Sequence, residues 1–80
     1  MAQDIPELMT LVAKALVDAP DEVSAEAFDE NGQIVVELQV AENEVGKIIG
    51  RQGRMARSLR TILGAAGSKT GKRYQLEIVE

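Results

Sequence analysis

Residues 46–60, GKIIGRQGRMARSLR, carry Lys47, Arg51, Arg54, Arg57 and Arg60 and no acid, in a chain of formal net charge −4. Gly50 and Gly53 bracket Arg51 and Gln52. Two positions without a Cβ let a sugar-phosphate chain approach the peptide planes, and the residues between them offer charged and neutral donors to phosphate oxygens. A helix starting just after Gly53 adds unpaired N–H groups and a partial positive charge at the same point. Lys47, Arg54 and Arg57 surround it. The chemistry these residues suit is a non-covalent grip on a polyanion. A glycine turn between helices or a solvated arginine face explains either feature alone; neither requires the two to coincide.

Other chemistries are excluded by what the chain lacks. It has no cysteine and no histidine, so zinc held by those ligands and every nucleophile–histidine pair are ruled out. The acids are scattered mainly over the first half, with no pattern of paired carboxylates. We therefore expect no enzyme, no cofactor, no metal site and no small-molecule substrate. A dinucleotide fingerprint ending at Gly50 and Gly53 needs glycine where Ile48 stands. A Walker A motif ending at Gly71-Lys72 needs Gly at Ala66 and Ser or Thr at Arg73. A helix-turn-helix reading survives longer, although the first helix is short and a three-stranded sheet is no part of that motif's core; whether duplex DNA outcompetes single strands separates it.

Charge is segregated: residues 1–45 balance at −10 and residues 46–80 at +6. The pattern suggests a basic working half on an acidic scaffold. Apolar runs reach only three residues, as in Ile34-Val35-Val36, too short for a bilayer span. The first residues lack a basic stretch followed by an apolar core. A soluble cytoplasmic protein with no membrane association is expected.

The elements that position the basic stretch follow from periodicity. Asp4, Pro6 and Glu7 read as a helix start with a capping box, and Ile5, Leu8, Val12, Ala15 and Leu16 fall on one face until Ala19-Pro20-Asp21 ends the helix. Val23, Ala25 and Ala27 alternate with polar or outward residues, as do Ile34, Val36, Leu38 and Val40. Asn31-Gly32 between these runs predicts a hairpin. Asn43 can cap a short helix carrying Val45, Ile48 and Ile49, which Gly50 and Gly53 interrupt. A longer helix resumes with Met55, Ala56, Leu59, Ile62, Leu63 and Ala66 on one face, loosening to a loop over residues 64–71. Residues 72–80 form the last strand, with Tyr74, Leu76 and Ile78 inward. Eighty residues make a single domain, and one apolar face per strand predicts an α+β fold with all helices on one side of the sheet.

The run from Val45 through Arg54, with Ala56, Leu59 and Ile62, resembles the signature of the KH RNA-binding domain. The order α-β-β-α-α-β resembles the type II version, which implies a three-stranded mixed sheet with three helices on one face. Chain length and the Asp18-Ala19-Pro20-Asp21-Glu22-Val23 stretch are similar to the KhpA family of small bacterial proteins consisting of a lone KH domain. The resemblance implies single-stranded RNA as the partner, with Gly50, Arg51, Gln52 and Gly53 as the binding loop and Ile49 in an adjoining groove. Lys47, Arg54 and Arg57 join this set from charge placement. It also implies pairing of the protein with itself or with a larger KhpB (Jag)-type partner, in an RNA-chaperone complex linked to cell-wall growth and cell shape. One Phe and one Tyr leave no aromatic platform for stacking bases, so a protein-interaction module of KH shape is the competing expectation. Leu59, Ile62, Leu63, Ala65 and Ala66 can serve either the core or a dimer face, with the core preferred.

Overall fold

The computed structural model describes residues 5–80. Helix α1 (Ile5–Leu16) leads into a hairpin of β1 (Ser24–Glu30) and β2 (Gln33–Gln39). Helix α2 (Val45–Ile49), helix α3 (Arg54–Thr70) and strand β3 (Arg73–Ile78) complete the order α-β-β-α-α-β. The sheet order is β1-β2-β3, antiparallel between β1 and β2 and parallel between β2 and β3. A parallel pair cannot be closed by a tight turn. The chain therefore crosses over through α2 and α3, and that crossover contains the basic stretch.

The hairpin forms where Asn31-Gly32 predicts it. Both residues take positive φ, 56° and 82°, and Glu30 pairs with Gln33, the two-residue connection that matches strand twist. The Gly32 N–H donates to Asp29 Oδ1 at 3.3 Å. Central strand β2 supplies the floor of the core through Val36 and Leu38, against which Met9, Ile48, Leu59, Leu63 and Leu76 pack.

Local expectations are corrected at several points. The buried line of α1 is Ile5, Met9 and Ala13, continued by Val17; Leu8, Val12 and Leu16 flank it half-buried, and Ala15 is exposed. Residues 8, 9, 11, 12 and 13 are all apolar, so periodicity leaves the rotation of this helix open, and packing of small Ala13 and flexible Met9 on the sheet selects it. The expected cap at Asp4 lies outside the described residues. Helix α1 stops at Leu16, and the break around Pro20 is a short 3₁₀ turn, Pro20–Glu22. On edge strand β1, which has a neighbour on one side only, Ala27 shares the inner face with its partner Val36 but is left uncovered.

Asn43 does not cap α2. A 3₁₀ turn, Glu42–Glu44, precedes that helix, and no side chain caps it. The loop expected over residues 64–71 is helical up to Thr70. Two glycines weaken a helix by about 1 kcal/mol each, but packing of α3 on β3 outweighs this. The helix ends at Gly71, whose N–H donates to Gly67 O. Strand β3 is accordingly shorter than residues 72–80. Among the described residues, no helix is long and apolar enough to cross a membrane.

Candidate nucleic-acid interface

Residues 50–53 occupy the corner between α2 and α3. The Gly50 N–H closes α2 on Gly46 O at 2.8 Å. Gly50 then takes φ 78° and ψ 174°, a region open essentially to glycine alone. An added Cβ there would lie 2.6 Å from Met55 Cβ and 2.9 Å from the Met55 nitrogen. This glycine lets the loop fold flat against the start of α3. Gln52 and Gly53 both adopt left-handed conformations, φ 57° and 73°. Nothing lies within 4 Å of the place a Gly53 Cβ would occupy. Gly50 is thus required by packing, and Gly53 leaves its outer face open.

The loop is held from two sides. The Gly53 N–H donates to Gly50 O at 3.1 Å, and Arg57 Nη2 donates to Gln52 O at 3.2 Å. No side chain caps α3, so first-turn amides point out of the corner where an anion is favoured. Arg51, Arg54, Arg57 and Arg60 are all exposed. Of the cations expected to cluster here, Arg57 has an added role as a brace.

Lys47 sits differently from expectation. Its Nζ lies 2.6 Å from Asp18 Oδ2 and 3.3 Å from Glu44 Oε1. Glu44, only 4% exposed, is the residue that sequence reasoning missed. Its carboxylate accepts the N–H of Asp18 at 2.6 Å and that of Ala19 at 3.1 Å. Burial pushes this carboxyl up. The two amides and Lys47 outweigh burial and hold it below its ordinary value of 4.5. The Asp18 contact in turn holds the Lys47 ammonium above its ordinary 10.5. A glutamate just ahead of a short helix gives no sequence signal of burial, because its partners lie some twenty-five residues away.

Beside the loop runs an open groove of about 370 Å³. One wall is Ile49, Gly53, Ala56 and Arg60; the other is residues 75–78 of β3 and Glu80. Ile49 and the loop residue Gly53 both line this groove, opposite the strand. Lys47 and Arg57 do not line the groove, and Arg60, from the same basic run, does. Ile49 and Ile78 give it apolar spots among polar Arg60, Gln75, Glu77 and Glu80, while Ala56 and Leu76 are buried. Such a surface offers apolar contact at Ile49 and polar contact along the strand. Among the described residues no cluster of acids suits a metal.

A family model for the KH domain of KhpA/KhpB matches residues 6–78. The chain belongs to the KhpA/KhpB KH-domain family. Its KhpA relatives include the RNA-binding protein KhpA of Borreliella burgdorferi, 47% identical over 92% of this chain and 90% of that protein. The RNA-binding protein KhpA of Aquifex aeolicus is 49% identical over 95% of this chain and 96% of its own. Among solved structures, Aquifex aeolicus Era bound to GDP·AlF4⁻ superposes with a TM-score of 0.57 at 21% identity. That match covers 92% of this chain and 29% of the Era chain, and it speaks to the fold alone. Element order and mixed sheet are those of a type II KH domain, as expected for a KhpA/KhpB member.

Proposed function

We propose that this protein is a non-catalytic binder of single-stranded RNA. The observation that carries the reading is the corner at residues 50–53, whose glycine-only conformation opens between exposed arginines and a groove lined by Ile49. The relatives' printed name, RNA-binding protein KhpA, supports it. A strand of about four nucleotides lays its backbone on Gly50, Arg51, Gln52 and Gly53. Arg54 and Arg57, with Lys47 after release from Asp18, add positive charge, and the bases lie over Ile49. Without an aromatic platform, affinity per domain is modest, so pairing is useful through avidity. Pairing is with a second copy or with a KhpB (Jag)-type partner, in the cytoplasm, in an RNA-chaperone role tied to cell-wall growth and cell shape. Exposed Leu11 and Ile62 are apolar surface available for such contacts, and they also favour the second reading, protein docking without RNA.

Amide NMR shifts on adding short oligoribonucleotides test the proposal. Perturbations should centre on residues 50–54, and the folded double variant Arg51→Asp, Gln52→Asp should lose them. Undiminished RNA binding by that variant would falsify the loop's role. Protein capture with no RNA binding at low salt would establish the docking reading instead.

A further inference from the structure

Helix α3 packs on edge strand β3, and the groove beside the loop takes only Ala56 and Arg60 from that helix. Arg60, Gly64, Gly67 and Gly71 recur every three or four residues, which aligns them down one side of the helix. A second open cavity, of about 390 Å³, has Gly64 and Gly67 of the helix and its cap Gly71 in its wall, and Gly64 lies one turn beyond Arg60 of the first groove. Its other residues are Ser68, Lys72, Arg73, Tyr74 and Gln33. From Arg60 to Gly67 is about 10 Å at helical rise, so the two cavities follow one another along a single track.

Charge distinguishes the far cavity. Its lining includes Lys72 and Arg73 and no acid, whereas Glu77 and Glu80 stand in the wall of the first groove. Lys72 and Arg73 are exposed, and among the described residues neither forms an ion pair. Tyr74, half-buried, packs against the core and closes the cavity on the strand side.

The two glycines inside α3 have different reasons to be there. A Cβ at Gly67 would come within 2.3 Å of Lys72 O, so packing of the helix end on the strand demands glycine. A Cβ at Gly64 would meet nothing within 4 Å. Packing does not require Gly64, which weakens the helix by about 1 kcal/mol. Its effect is to leave the cavity unfilled.

We infer that the far cavity holds the continuation of the same RNA strand, its phosphates on Lys72 and Arg73. The inference rests on the RNA-binding reading above and lengthens its site beyond the loop. Phosphate contacts supply charge-driven affinity.

Fluorescence anisotropy with labelled oligoribonucleotides of about four and about eight nucleotides, the longer extended at either end, tests it. The unaltered protein should bind the longer probe more tightly. Lys72→Ala with Arg73→Ala should weaken the longer probe roughly tenfold and leave the shorter one unchanged. Gly64→Leu should raise the melting temperature, since leucine favours helix, and still weaken only the longer probe. Equal affinity of the unaltered protein for both lengths overturns the inference, as does loss at both lengths, or at neither, in the variants. Failure of the unaltered protein to bind either probe overturns the RNA-binding reading itself.

Discussion

Glu44 accepts the backbone N–H of Asp18 at 2.6 Å, joining the segment after α1 to the residue that introduces α2. The same carboxylate accepts from Ala19 and contacts Lys47. One buried acid thereby sets where the loop-bearing crossover begins relative to the first helix. Two amides and an ammonium satisfy it, which is the condition for keeping a carboxylate out of water.

Replacing that acid should be felt in stability, with a pH dependence of defined sign. Glu44 is held below 4.5 in the fold, so its contribution is complete above that pH and is lost as pH falls through the depressed folded value. Glu44→Gln should lower the melting temperature on the order of 5 °C at pH 7. The difference from the unaltered protein should shrink in acid. Thermal melts from pH 7 to pH 2 check this; a gap that stays constant contradicts it. Lys47, held above 10.5, loses its contribution only as pH rises through its raised value.

The two loop glycines should respond differently to alanine. At Gly50 the new methyl meets the backbone of Met55 in a glycine-only conformation, and we expect a loss of roughly 2–3 kcal/mol. At Gly53 there is space, and only the left-handed backbone counts, about 1 kcal/mol. Urea unfolding separates the two. RNA affinity of folded Gly53→Ala should still fall, because the methyl stands on the open side of the loop.

The cations of the basic run should not contribute equally to RNA binding. Arg51→Ala should shallow the log–log salt dependence of affinity by about 0.7, the value for one phosphate contact on a single strand. Lys47→Ala should change it less, since Asp18 and Glu44 already neutralise that ammonium. Titrations at several salt concentrations decide the matter. A full-sized effect at Lys47 would mean that its release from Asp18 to phosphate carries no measurable cost.

Neighbouring apolar residues on α3 should also part company. Leu63 is 0% exposed, and Leu63→Ala should cost about 2–5 kcal/mol. Ile62 is 46% exposed, so Ile62→Ala should stay within about 0.5 kcal/mol. Sedimentation at increasing concentration shows whether Ile62 takes part in self-association: a weakened dimer in a variant of unchanged stability assigns it there.

Local pattern was enough to determine the element order, the hairpin at Asn31-Gly32, the inward line Val36–Leu38 and the break at Gly50 and Gly53. Each depends on neighbours in sequence: alternation, a two-residue turn, a pair of helix-weakening positions. Resemblance of residues 45–54 to the KH signature carried the fold class further. Tertiary packing decided the rest. It rotated α1 to bury Met9 and Ala13, carried α3 through two glycines to Thr70, and turned Glu44 inward toward amides far away in sequence. It also assigned Lys47 to Asp18 and laid β3 against α3 to make the groove. The physical reason is the same throughout: burial and hydrogen-bond satisfaction across distant segments exceed the local preferences of a few tenths to about 1 kcal/mol that a sequence displays.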